Sequence, residues 1–216
     1  MNFKRFSAKT FLFLSSISFG ILICELAGRF IGLGNPLLYK SDSLVGYRLR
    51  PNQNNKRFQN AMVSTDAEGF RINPKKKDDL SSEVFVFVGD SVTYGGSYID
   101  NNELFSSIFC ANRTNSICLN QGINAWGTYN MGRFISNFSL YSKRIPSKFI
   151  LVILPGDDER NLKDIKSLPF WTKPPKHPKA VNEIINYLFW KNIIPSLRSQ
   201  KPLNQVDVSK ENIIKY

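Results

Sequence analysis

Glu83-Val84-Phe85-Val86-Phe87-Val88-Gly89-Asp90-Ser91-Val92-Thr93-Tyr94-Gly95-Gly96 is the stretch whose reading decides the fold. Residues 84–88 are β-branched or aromatic without a break, the pattern of a strand buried on both faces inside a parallel sheet. The run stops at Gly89-Asp90-Ser91, and open α/β sheets place ligands and chemistry at the carboxyl ends of their strands. Gly89 lets the backbone turn, and Ser91 falls near the start of a following helix, whose first N–H groups have no intrahelical acceptor. A hydroxyl so placed suits a nucleophile whose attack creates an oxyanion. Asp and Ser are also ordinary helix N-caps, so the tripeptide by itself does not separate capping from catalysis.

Working outward, the next 65 or so residues repeat the theme. Residues 102–111 predict a helix with Leu104, Phe105, Ile108 and Phe109 on one side. Residues 116–119 predict a second strand, and Asn120-Gln121-Gly122-Ile123-Asn124-Ala125-Trp126-Gly127 a loop at its end. Residues 128–143 predict a second helix, with Met131, Phe134, Ile135 and Phe138 at helical spacing, broken by Pro146. Residues 149–154 predict a third buried strand, running into Pro155-Gly156-Asp157-Asp158-Glu159-Arg160-Asn161. Strand–helix–strand–helix–strand order argues for a parallel sheet with crossover helices, which puts all three strand-end loops on one edge. That edge is the expected site.

Upstream, residues 10–24 form fifteen uncharged, mostly apolar positions behind Lys4, Arg5 and Lys9, the layout of an export signal. Glu25 and Arg29, four apart, can pair on one helix face, and Phe30, Ile31 and Leu33 resume the apolar run. A helix over 9–33 is long enough to span a membrane, and no small-residue cleavage site follows it. Residues 1–34 therefore read as an uncleaved signal anchor, ahead of a cleaved signal peptide or a buried core helix, and place the body outside the cytoplasm. Residues 35–82 read as a membrane-proximal leader that packs on the body at 83–216. Within the leader, Val45, Tyr47 and Leu49 alternate with Gly46, Arg48 and Arg50 as a strand, 66–69 turn the chain, and 75–82 form a polar linker. Downstream, 167–180 are Pro- and Lys-rich and irregular, and 180–196 suit an amphipathic helix. Trp171 and Trp190 could line a sugar site or simply pack in a core.

Composition is that of a globular chain: 216 residues, 42% hydrophobic, with a net charge of +12. The basic residues are scattered and no nucleic-acid-binding pattern is present, so no nucleic-acid partner is expected. His177 is the only histidine, and no Cys/His constellation points to a metal or other cofactor. Cys110 and Cys118 could pair in an oxidising compartment or serve as small core residues.

Gly89-Asp90-Ser91, Asn120-x-Gly122 and Gly156-Asp157-Asp158, each after a strand and in this order, resemble the first three sequence blocks of the SGNH/GDSL hydrolases. Gly46-Tyr47-Arg48-Leu49-Arg50-Pro51-Asn52 and Gly69-Phe70-Arg71 resemble the leader of membrane-anchored bacterial members. The likeness covers roughly residues 35–165. It implies a three-layer α/β/α sandwich around a parallel sheet (SGNH/flavodoxin-like), here incomplete at its C-terminus and preceded by a transmembrane helix. It implies Ser91 as nucleophile and the Gly122 N–H as an oxyanion donor. Asp157 stands where the family has an Asn donor, and a carboxylate accepts hydrogen bonds without donating them. The family's C-terminal Asp-x-x-His block is missing, leaving His177, in a Pro-rich loop, as the candidate base. The implied function is a serine ester hydrolase acting on acyl or acetyl esters, such as those of cell-envelope glycans or lipids, through an acyl-enzyme on Ser91. The alternative is a truncated or non-catalytic SGNH-like module that binds at the envelope. The expected partners are an ester-bearing small molecule or glycan, and the membrane through the N-terminal helix.

Overall fold

The computed structural model describes residues 8–72, 83–113, 115–160 and 165–198. Lys4 and Arg5, the linker at 75–82, Asn161 and the segment from 199 onward lie outside the described residues. The protein is a mixed α/β structure with a three-stranded parallel sheet.

Helix α1 (Ala8–Phe30) has a mean hydropathy of 1.9 and is long and apolar enough to cross a membrane. Its 23 residues rise about 34 Å, against about 30 Å of hydrocarbon core. The Glu25–Arg29 pair forms, at 2.7 Å. Beyond α1 come two small antiparallel hairpins, β1 (Tyr39–Asp42) with β2 (Gly46–Leu49) and β3 (Asn54–Lys56) with β4 (Met62–Ser64). The alternation read at 45–50 is therefore real but does not leave one face in water. Arg48 is buried as well, its guanidinium 4.3 Å from the Tyr141 ring centre and near the rings of Phe70 and Phe134.

The sheet has β5 (Glu83–Gly89) in the middle, β6 (Ser116–Gly122) on one side and β7 (Lys148–Val152) on the other. Period-two alternation sends Val84, Val86 and Val88 to one face and Phe85 and Phe87 to the other. The valine face shares a core with Tyr39, Tyr47, Leu49 and Phe70 of the leader and with Met131 and Phe134 of α4 (Thr128–Ser136). The phenylalanine face packs with Phe109 and Cys110 of α3 (Phe105–Ala111) and with Cys118 of β6. Cys110 and Cys118 are disulfide-bonded, joining α3 to β6.

Several element bounds differ from the sequence expectation. The helix over 102–111 divides into a 3-10 turn (Asn101–Glu103) and α3, because Leu104 is extended between them. The helix over 128–143 ends at Ser136, and a 3-10 turn at Phe138–Leu140 follows. Asn120, Gln121 and Gly122 belong to β6 and not to a loop: they continue the ladder opposite Phe87, Val88 and Gly89. The third strand is an edge strand, and Leu151 and Ile153 are exposed, so its apolar run does not mark burial on both faces. Helix α5 (Lys179–Arg198) returns to α1, where Glu25 accepts hydrogen bonds from the first N–H groups of α5 at Lys179, Ala180 and Val181.

Three buried phenols tie the leader to the sheet and make stability alkali-sensitive. Burial pushes the Tyr39, Tyr47 and Tyr94 hydroxyls up from their ordinary value. Unfolded, each ionises near pH 10. Above that pH the folded chain holds more protons than the unfolded one, so stability falls as pH rises. The expected loss is up to about 1.4 kcal/mol per pH unit for each such phenol. Melting curves between pH 8 and 11 with phenolate absorbance at 295 nm check this: these phenols should titrate only as the chain unfolds, and early, reversible titration of every tyrosine would contradict it.

Candidate functional site

Parallel strands bring their carboxyl ends to one edge, and here they end level: Gly89 pairs with Gly122 on one side and with Val152 on the other. One residue past Gly89, Asp90 is buried and caps α2 (Ser91–Tyr94), accepting the Val92 N–H at 2.9 Å. The capping role of Asp90 is thus realised. Helix α2 is a single turn that ends at Gly95, with φ 78°. It is too short to carry a sizeable macrodipole, leaving only local N–H groups at the turn beside Ser91.

Ser91 is exposed on this edge. Its Oγ has one hydrogen-bond partner among the described residues, Asp90 Oδ2 at 3.4 Å. That carboxylate oxygen also accepts from Arg160 Nη1 at 3.0 Å. Arg160 Nη1 donates to the Trp126 carbonyl at 3.1 Å and stands 2.9 Å from Asp157 Oδ1, a charge contact without hydrogen-bond alignment. One guanidinium therefore joins all three strand-end loops. Asp157 is fully buried, its other oxygen accepting the Leu154 N–H at 2.9 Å. An Asn in its place would carry a donor; the carboxylate present is held as an acceptor facing a cation.

Gly122 sits beneath α2, where a β-carbon would overlap the Tyr94 nitrogen and the Thr93 carbonyl carbon. Its N–H donates to Asn120 Oδ1 at 2.8 Å, so that donor is already engaged. Asn120 Nδ2 in turn donates to the Thr93 carbonyl at 2.6 Å and to Ser106 Oγ at 3.0 Å. Asn120 thereby straps the turn carrying Ser91 onto β6. His177 lies elsewhere. It is exposed in the loop before α5, with Nδ1 3.4 Å from Arg29 Nη2 of α1, and among the described residues it makes no hydrogen bond with Ser91.

No family model matches the chain, and no curated protein matches it significantly. Ser91 and Asp157 are brought to one edge through Asp90 and Arg160, Gly122 is close by but occupied, and His177 is not part of the cluster.

Several supporting residues carried no signal that assigned them a role. Arg160 is one charged residue among several in the segment after the third strand. Tyr47 Oη donates to the Asn124 carbonyl at 2.7 Å, and Asn124 Nδ2 donates to Tyr39 Oη at 3.1 Å. The leader hairpin thus braces the loop after β6. Ala125 in that loop is left-handed, at φ 65°, a conformation that costs an alanine about 1 kcal/mol and marks a turn that the surrounding packing imposes.

Proposed function

We propose that this chain is a membrane-anchored serine ester hydrolase of the SGNH type, acting on acyl or acetyl esters of envelope glycans or lipids, with Ser91 as nucleophile. The observation that carries this reading is an exposed Ser91 two residues past the level ends of three parallel strands, on a turn held by Asp90 and strapped by Asn120. On this reading the sheet with α3 and α4 on its two faces is the front of an α/β/α sandwich. Ser91 Oγ attacks the ester carbonyl carbon, its proton leaves with the alcohol, and water then releases the acid from the acyl-enzyme. The Cys110–Cys118 disulfide supports a body outside the cytoplasm, where such bonds persist.

A second reading, a non-catalytic module of the same fold, is favoured by two observations: the Gly122 N–H is taken by Asn120, and Asp157 faces Arg160. Intact-mass detection of fluorophosphonate labelling on the detergent-solubilised chain separates the two. Because no imidazole touches Oγ, slow labelling that disappears in Ser91→Ala is the expected result. A folded protein that takes no label would overturn the hydrolase reading and leave the binding module.

A further inference from the structure

A cavity of about 940 Å3 lies between α5, the segment joining α1 to β1, and the loops at the carboxyl edge of the sheet. We propose that it binds one hydrocarbon chain of a membrane lipid. Its walls carry Leu33, Leu37, Phe170, Trp171, Ile184 and Trp190, and its volume falls within the range of about 300–1,000 Å3 usual for small-molecule sites.

Two observations favour a lipid chain over a sugar between these aromatics. First, most buried polar groups of the wall are already paired with one another. Tyr39 Oη is bonded to Asn124, Tyr94 Oη to Ser97, and Arg57 to Glu183, which also accepts the Gly34 N–H. A glycan needs many free donors and acceptors, and an alkyl chain needs none. Arg57 Nε is the buried wall donor left without a partner among the described residues, enough for a single ester or head-group oxygen.

Second, the cavity begins where the apolar span ends. Leu33 follows three residues after α1, and α5 is locked to that point by the Glu25 hydrogen bonds and by Gly28 packed against Ala180. The outer face of α5 exposes Ile185, Leu188 and Phe189 beside it, and Trp and Tyr are the residues that favour the bilayer interface. The cavity also reaches Tyr94 at the end of α2, and Ser97 and Asn124 in the loops after α2 and β6. A lipid ester held there faces the proposed catalytic edge, and only that last step rests on the hydrolase reading.

The test uses the full chain in nanodiscs doped with a phospholipid whose acyl chain carries a diazirine. After photolysis, adducts are mapped by mass spectrometry. Label is expected on peptides containing Phe170–Trp171 and Tyr187–Trp190 as well as on α1. Asn186→Trp on α5 and Ser97→Trp in the loop after α2 each add a large ring to the cavity lining, and each should cut the label at those peptides by about tenfold or more. Ile185→Ser, on the outer face of α5, should leave it unchanged. Label confined to α1, or label unaltered in a folded Trp variant, overturns the proposal, and displacement by a soluble oligosaccharide would assign the cavity to a glycan instead. Should neither Trp variant fold, the wild-type adduct map decides alone. Retained label in Ser91→Ala keeps the cavity's role separate from any failure of the hydrolase reading.

Discussion

Arg71→Met is expected to lower the melting temperature of the chain by about 10 °C, through the loss of about 4 kcal/mol. Arg71 is fully buried, and among the described residues no carboxylate is one of its hydrogen-bond partners. Its guanidinium instead donates to Asn101 Oδ1 at 2.9 Å and to the carbonyls of Tyr94, Gly96 and Ile99, while lying 4.9 Å from the Tyr94 ring centre. Burial pushes its pKa down, which is the cost of keeping this cation out of water. The fork organises the loop that follows Ser91, and its backbone pairs with Asn120 at the outer edge of β6. A methionine fills the space and leaves four acceptors facing a thioether, two of them buried and two half-buried, at about 1–3 kcal/mol for each buried one before relaxation. Lysine recovers less than half of the loss, because a single ammonium cannot copy a planar fork. Near-UV circular dichroism melts of the solubilised chain check this, and a Met variant melting within about 2 °C of the parent would show the clamp to be dispensable.

The second large effect is expected at Asn120. Asn120→Ala removes the bonds to the Gly122 N–H, the Thr93 carbonyl and Ser106, and costs about 3 kcal/mol because those partners stay buried. Since Asn120 is the strap between β6 and the Ser91 turn, the same variant should slow any Ser91-dependent labelling, although it touches no substrate. Asn120→Asp is the sharper probe. Its carboxylate still accepts the Gly122 N–H but cannot donate to the Thr93 carbonyl, so the turn should loosen while β6 stays closed. Equal labelling rates in the parent, Ala and Asp chains would show that the turn holds itself. Hydrogen exchange at residues 91–95 against 116–122 reports the two halves separately.

Asn120 also shows where reading the chain by pattern stops. Its block was visible beside Gly122, but apolar periodicity ended the strand at 119, since polar side chains there look like a loop. The ladder continues because backbone hydrogen bonds do not depend on side-chain polarity, and because the Asn120 side chain finds partners across the sheet edge. The alternation at 45–50 likewise marks a strand without saying where Arg48 goes, and three aromatic rings contributed by distant segments make its burial tolerable.

The sequence by itself determined the three parallel strands to within a few residues, the common edge for their loops, the apolar N-terminal helix and the serine after the first of those strands. Those are local facts, set by runs of β-branched residues, by chain order and by the short turns that glycine permits. Tertiary structure alone decided what the edge residues face. Arg160 bridges Asp90 and Asp157 across 70 and 3 residues of chain, the Gly122 N–H turns to Asn120, and His177 goes to Arg29 at the end of α1. A hydrogen-bond partner is chosen by distance and direction in the packed state, and spacing along the chain carries neither.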